Sequence, residues 1–193
     1  MKKSLVFIVI LALIAGLTAF FYTRSGGQPQ TNLSTTPTPY NLSTLNMWNG
    51  ISPGKSSTQD LVTNLKEASP GAQNGNVTTY SYPSTNQYWK NEVDVENDTV
   101  VFIRERIFPP TETSFKILTA KIAEKPTPLY GPDHQSGTLL YLYPANGVAY
   151  MANSIQDTVY QIWRFPSTTT QGFLSMPQSS GYGLAPTGQP EGI

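Results

Sequence analysis

The sequence predicts an α+β protein: two tandem helix-plus-antiparallel-meander repeats forming one sheet with helices on one face, preceded by a single transmembrane helix. Three observations predict it. Residues 137–165 read as three antiparallel strands, with Asn146-Gly147 as the dipeptide that tolerates positive φ in a tight hairpin. The pattern occurs once earlier, because Tyr80-Ser81-Tyr82-Pro83 matches Tyr141-Leu142-Tyr143-Pro144 and Asp98-Thr99-Val100 matches Asp157-Thr158-Val159, about 60 residues apart. Finally, residues 4–23 carry no charge and are almost wholly apolar.

The apolar run of residues 5–22, with Leu5 at one end and Tyr22 at the other, covers roughly 30 Å as a helix, one bilayer core. Lys2 and Lys3 precede it and Arg24 follows, so the positive-inside rule places the N-terminus in the cytoplasm. A cleaved signal peptide is the rival, but its apolar region is typically about 7 to 15 residues and ends in a small-residue site. Leu17-Thr18-Ala19 is a poor one. Residues 1–24 therefore read as an uncleaved signal anchor and residues 25–45, rich in Ser, Thr, Pro, Gly and Gln, as a disordered tether.

Repeat 1 spans residues 46–108. Ser56-Ser57-Thr58-Gln59 reads as a capping box, Leu61, Val62, Leu65 and Ala68 form one helical stripe, and Pro70-Gly71 ends the helix. Strands follow over 77–82, 92–96 and 99–107. Repeat 2 spans residues 109–177: a helix carrying Phe115, Leu118 and Ile122, an extended piece at 128–130, then strands over 139–143, 148–152 and 158–165. Pro166-Ser167-Thr168 opens a terminal helix carrying Phe173, Leu174 and Met176 that covers the sheet, and residues 178–193 read as a disordered tail.

Gly50-Ile51-Ser52-Pro53-Gly54 before a capped helix, then a three-stranded meander, resembles the SmpA/OmlA domain of small envelope lipoproteins. The doubled form resembles the β-lactamase-inhibitor-protein fold, and the likeness covers roughly residues 48–176. It implies two units in one continuous sheet, helices on one side and a protein partner. The chain departs from the pattern by lacking a lipidated cysteine and by having Lys66-Glu67-Ala68-Ser69-Pro70 where leucine-glycine-x-proline is expected.

Composition limits the chemistry. Twelve basic and twelve acidic residues cancel among 193, so no basic surface argues for nucleic acid. With no cysteine there is no disulfide framework or thiolate metal site. Gly50 to Ser56 nearly spells a phosphate-binding loop, but it has three residues between the glycines where four are needed, and reads as a turn plus N-cap. His134, the single histidine, lies in a Gly- and Pro-rich turn beside Asp133 and lacks a nucleophile elbow. Glu92, Asp94 and Glu96 share a strand face that offers Ca²⁺ ligands, weighed against a solvated face protecting an edge strand. Four sequons begin at Asn32, Asn41, Asn76 and Asn97. No catalytic, cofactor or metal residues are assigned.

Aligning the last strands at Asp98 and Asp157 puts Val101, Ile103, Tyr160 and Ile162 toward the helices. It puts Val100 and Val159 on the other face, together with Phe102, Arg104, Gln161 and Trp163. If that face is open, the last four are the candidate partner-binding residues, since Trp and Arg are enriched at interface hot spots. The alternative has them packing under the terminal helix. The expected function is a non-catalytic protein-binding or scaffolding module, tethered to the membrane outside the cytoplasm, with an envelope or secreted protein as partner. The resemblance to the β-lactamase-inhibitor-protein fold implies a second reading, an inhibitor of a secreted or envelope enzyme, and a hydrolase using His134 is the third.

Overall fold

The computed structural model describes residues 45–66, 69–85, 88–108 and 113–186. The expected anchor and most of the tether lie outside these residues. Among the described residues, no helix is long and apolar enough to cross a membrane.

Eight strands among the described residues form one antiparallel sheet: β1 (Ser69–Asn74), β2 (Val77–Pro83), β3 (Lys90–Glu96), β4 (Thr99–Arg106), β5 (Thr127–Leu129), β6 (Leu139–Tyr143), β7 (Val148–Asn153) and β8 (Thr158–Arg164). Their spatial order is β1-β2-β3-β4-β8-β7-β6-β5, two four-stranded meanders joined where β4 pairs with β8. A helix precedes each meander, α1 (Thr58–Leu65) and α2 (Phe115–Thr119), and α3 (Thr170–Leu174) follows the last strand.

The two meanders share details beyond strand order. A bulge at Val101 in β4, where Asp94 pairs with Phe102 and Val95 with Val100, is matched by one at Tyr160 in β8. Each lies three residues after a left-handed aspartate, Asp98 at φ 62° and Asp157 at φ 55°. Both aspartates cap a helix. The Asp98 carboxylate accepts from the Thr58 N–H at 3.3 Å, and that of Asp157 accepts from the Lys116 N–H and the Ser114 hydroxyl, both at 2.8 Å. A side-chain oxygen at a helix start satisfies backbone donors that have no partner within the helix.

Alternation along the strands defines two faces. On the front, Leu61 of α1 packs with Tyr82, Val93 and Ile103, and Phe115 of α2 packs with Tyr150 and Ile162. On the back, Phe173 of α3 packs with Phe102, Met151 and Trp163. Helices therefore cover both faces, not one. The apolar row Leu140, Leu142, Ala149 and Met151 on β6 and β7 has no polar surface to offer water and needs a cover of its own.

Other expectations shift for local reasons. The N-cap is Ser57, one residue later than expected, because Asp60 completes the box: it accepts from the Ser57 N–H at 2.7 Å while the Ser57 hydroxyl accepts from the Asp60 N–H. The helix ends at Leu65, and Pro70 and Gly71 lie in β1, an edge strand held by pairing to β2. β3 is interior, so its carboxylates do not guard an edge. The β6–β7 connection is a four-residue turn, Pro144 to Gly147, with Gly147 left-handed at φ 65°. A Cβ there would come within 2.3 Å of the Phe165 carbonyl oxygen, so only glycine fits.

The tail departs most. Residues 178–186 form a strap across the back face. The Gln178 amide donates to Asp94 at 2.8 Å, and Tyr130 and Gly183 exchange backbone hydrogen bonds of 2.8 and 3.0 Å. The Tyr182 ring meets Trp163 edge-on at 5.3 Å and fills space that a side chain on Gly131 would occupy, since a Cβ there would lie 2.3 Å from the ring. Leu45, expected in the tether, is buried in the front core of the second meander.

Candidate functional site

Phe102, Arg104, Gln161 and Trp163 do share one face. Arg104 stands opposite Trp163 in register and Arg106 opposite Gln161. The face is not open over the two aromatics: Phe102 and Trp163 are each 2% exposed, packed against each other at 5.5 Å and roofed by Phe173 and Tyr182. They support the site from beneath.

Arg104 lies at the border of the roof. Its guanidinium sits 5.0 Å from the Trp163 ring centroid and 5.7 Å from that of Phe102, and Nη1 donates to Glu92. Desolvated cation–π contacts of this kind contribute on the order of 1–2 kcal/mol. Glu92 reaches Arg106 as well, at 3.8 Å. Burial lowers the pKa of Arg106 from its usual value, with Glu92 opposing the shift. The Trp163 indole N–H donates to Gln161 Oε1 at 2.8 Å, fixing that amide.

Beyond the roof, a groove of about 360 Å³ opens on the back face between Trp89, Arg106, Met151, Tyr160 and Gln161. Trp89 is 52% exposed, and Tyr88 beside it is exposed too. Sequence reasoning missed Trp89, Arg106 and Tyr182. Arg106 continues the period-two row through Phe102 and Arg104 and was legible. Tyr182, a lone aromatic between two glycines in a polar tail, was a weaker signal, and Trp89 in its loop gave none.

On the front face, a second cleft of about 470 Å³ lies at the same end of the β4–β8 seam, between Trp48, Asn91, Glu105 and Phe108. Glu105 Oε2 pairs with Arg164 Nη1 at 2.7 Å across the seam.

The other motifs are accounted for structurally. The Ser56 hydroxyl accepts from the Ser52 N–H at 3.0 Å, and the Gly54 N–H donates to the Val100 carbonyl at 2.7 Å, so residues 50–56 form a turn fastened to β4. His134 begins a short 3-10 turn, its Nδ1 hydrogen-bonded to the Gly131 carbonyl oxygen at 2.7 Å. Asp94 accepts from Thr79 and Gln178, and Glu92 faces the arginines. Among the described residues, no group of three or more His, Cys, Asp or Glu side chains could hold a metal ion. Asn76 and Asn97 lie in exposed turns at the β1–β2 and β3–β4 connections, and Asn32 and Asn41 lie outside the described residues. Comparison with protein-family models, with curated proteins and with solved structures gave no match to this chain.

Proposed function

We propose that this chain is a non-catalytic protein-binding module, hung outside the cytoplasm by the apolar run of residues 5–22 and a polar tether, with an envelope or secreted protein as partner. The observation that carries the reading is the exposed Trp89 beside Arg106, over a groove floored by Met151, Tyr160 and Gln161. Tryptophan and arginine dominate interface hot spots because each brings a large rigid contact surface and a directional polar group. Trp163, Phe102 and the Arg104–Glu92 pair hold that end of the sheet rigid, so little ordering accompanies association.

We also propose that the two meanders are a duplicated unit, as in the SmpA/OmlA-like reading. The paired bulges at Val101 and Tyr160 and the paired capping aspartates support it.

The test is site-directed photocrosslinking of the full-length chain in its native envelope, with the crosslinker at position 89 or at position 62. Val62 is exposed on α1, on the opposite face. The expected result is one discrete partner band from position 89 only, lost in Arg106→Ala. Bands of equal strength from both positions, or none from position 89, overturn the reading.

A further inference from the structure

The front-face cleft is a different surface with a different chemistry. Its volume, about 470 Å³, falls in the range of small-ligand pockets, roughly 300–1,000 Å³. Its floor is built of polar groups already held in place by the fold. Asn91 is buried, and both ends of its amide are used once: Nδ2 donates to the Pro83 carbonyl and Oδ1 accepts from the Arg106 N–H, each at 2.8 Å. One N–H and one lone pair remain on that side chain. Glu105 meets Arg164 through Oε2, leaving Oε1 as an acceptor on a residue that lines the cleft. The Thr85 hydroxyl donates to the Phe108 carbonyl at 2.7 Å and keeps its acceptor lone pairs.

Two properties follow from this arrangement. The first is that Asn91, Glu105 and Thr85 together offer more acceptors than donors, which suits a ligand rich in hydroxyl or N–H groups. The second is charge cancellation on the floor: Arg164 neutralises Glu105, so an ammonium ion meets no uncompensated carboxylate there. Two aromatic residues line it, the buried Trp48 and the 47%-exposed Phe108. The negative face of an aromatic ring attracts the weakly positive C–H edge of an apolar ring surface.

We infer that this cleft binds a neutral saccharide, its hydroxyl groups donating to Glu105 Oε1 and Thr85 and exchanging hydrogen bonds with the Asn91 amide, its ring lying on Phe108. The inference does not rest on the protein-binding reading, because the groove at Trp89 opens on the other face.

The experiment is an NMR titration of the full-length chain, following the Trp48 indole and the Asn91 side-chain amide. The probes are three neutral disaccharides (maltose, cellobiose and N,N′-diacetylchitobiose) and two charged sugars, glucosamine and glucose 6-phosphate. The expected result is saturable movement of both signals with at least one neutral disaccharide and weaker response to the charged pair. Phe108→Ala should weaken binding roughly five- to tenfold with the melting temperature kept, and Trp89→Ala should leave it unchanged. Absence of movement with all three neutral probes overturns the inference. So does tighter binding of a charged sugar, or an unchanged affinity in Phe108→Ala.

Discussion

β3 and β7 occupy equivalent places, each the third strand of its meander, yet they are buried differently. β3 alternates, with Asn91, Val93 and Val95 buried and Glu92, Asp94 and Glu96 only half so, whereas β7 is buried at all six positions. The sequences say why: Glu-Val-Asp-Val-Glu leaves one face polar, while Val-Ala-Tyr-Met-Ala is apolar on both. A strand of the second kind must be covered twice, as in the interior of a layered fold. Over β1 to β3 the first meander is a two-layer unit with Gln178 reaching Asp94 on its back, whereas the second is a three-layer one whose third layer, α3 with the strap, also covers Phe102 of β4. Shared topology fixes where strands lie but not how many sides they bury.

Substitutions should expose that difference. The largest effect is expected from Trp163→Ala, which empties the middle of the back-face core between Phe102, Phe173 and Tyr182 and removes the ring under Arg104. Urea denaturation should show a loss of about 3–5 kcal/mol. Ser81→Ala, on the unroofed back face of the first meander, should stay within about 0.5 kcal/mol. Equal losses would mean that the two back faces are built alike.

The paired tyrosines before proline, Tyr82 and Tyr143, should differ next. The buried Tyr82 hydroxyl has no hydrogen-bond partner, while Tyr143 has one in Thr119. Tyr82→Phe should be nearly neutral at pH 7, and Tyr143→Phe should cost about 1 kcal/mol, since only the second loses a bond. Burial pushes the Tyr82 phenol up to about 12, with Tyr80 adding to the shift. A raised folded-state pKa means that the contribution is complete below the unfolded value near 10 and is lost as pH climbs toward 12. Denaturation midpoints between pH 9 and 12 should therefore fall less steeply in Tyr82→Phe than in the parent chain.

The smallest difference is expected at the capping aspartates. The first helix has its own box at Ser57 and Asp60, whereas α2 depends on Asp157 as well as Ser114. Asp157→Asn should lower the melting temperature more than Asp98→Asn, and asparagine keeps the left-handed backbone accessible in both. The Lys116 N–H, followed by the Ser114 hydroxyl, holds the Asp157 carboxyl below its ordinary value of 3.8. Its contribution is present above that pH and lost as acid titrates the group, so the two variants should converge in strong acid.

Much of the sheet was legible because its strands carry their own signal. Leu139–Tyr143 and Val148–Asn153 are rich in β-branched, aromatic and large apolar residues, and Val93 and Val95 alternate with acids. β1 was not, because Ser-Pro-Gly-Ala-Gln-Asn has no strand preference and is extended only because β2 offers it partners. The candidate face was half legible: period two placed Phe102, Arg104, Gln161 and Trp163 together, but whether a face is open depends on what arrives from elsewhere. Here part of the cover is Phe173 of the terminal helix, which the sequence does announce, and the rest is Tyr182, in a stretch whose composition resembles a linker. Pairwise backbone bonds and one aromatic ring in a glycine slot leave almost no periodic trace.

The placement of the strap bears on how the chain is made. A ribosome delivers the eight strands before α3 and the strap that shield Phe102 and Trp163, so a nascent chain halted ahead of Thr170 presents a bare aromatic wall to the solvent. Such a chain is a natural client for holdase chaperones and a hazard at high expression. Any affinity tag or truncation meant to spare the fold must leave everything through Gly183 intact.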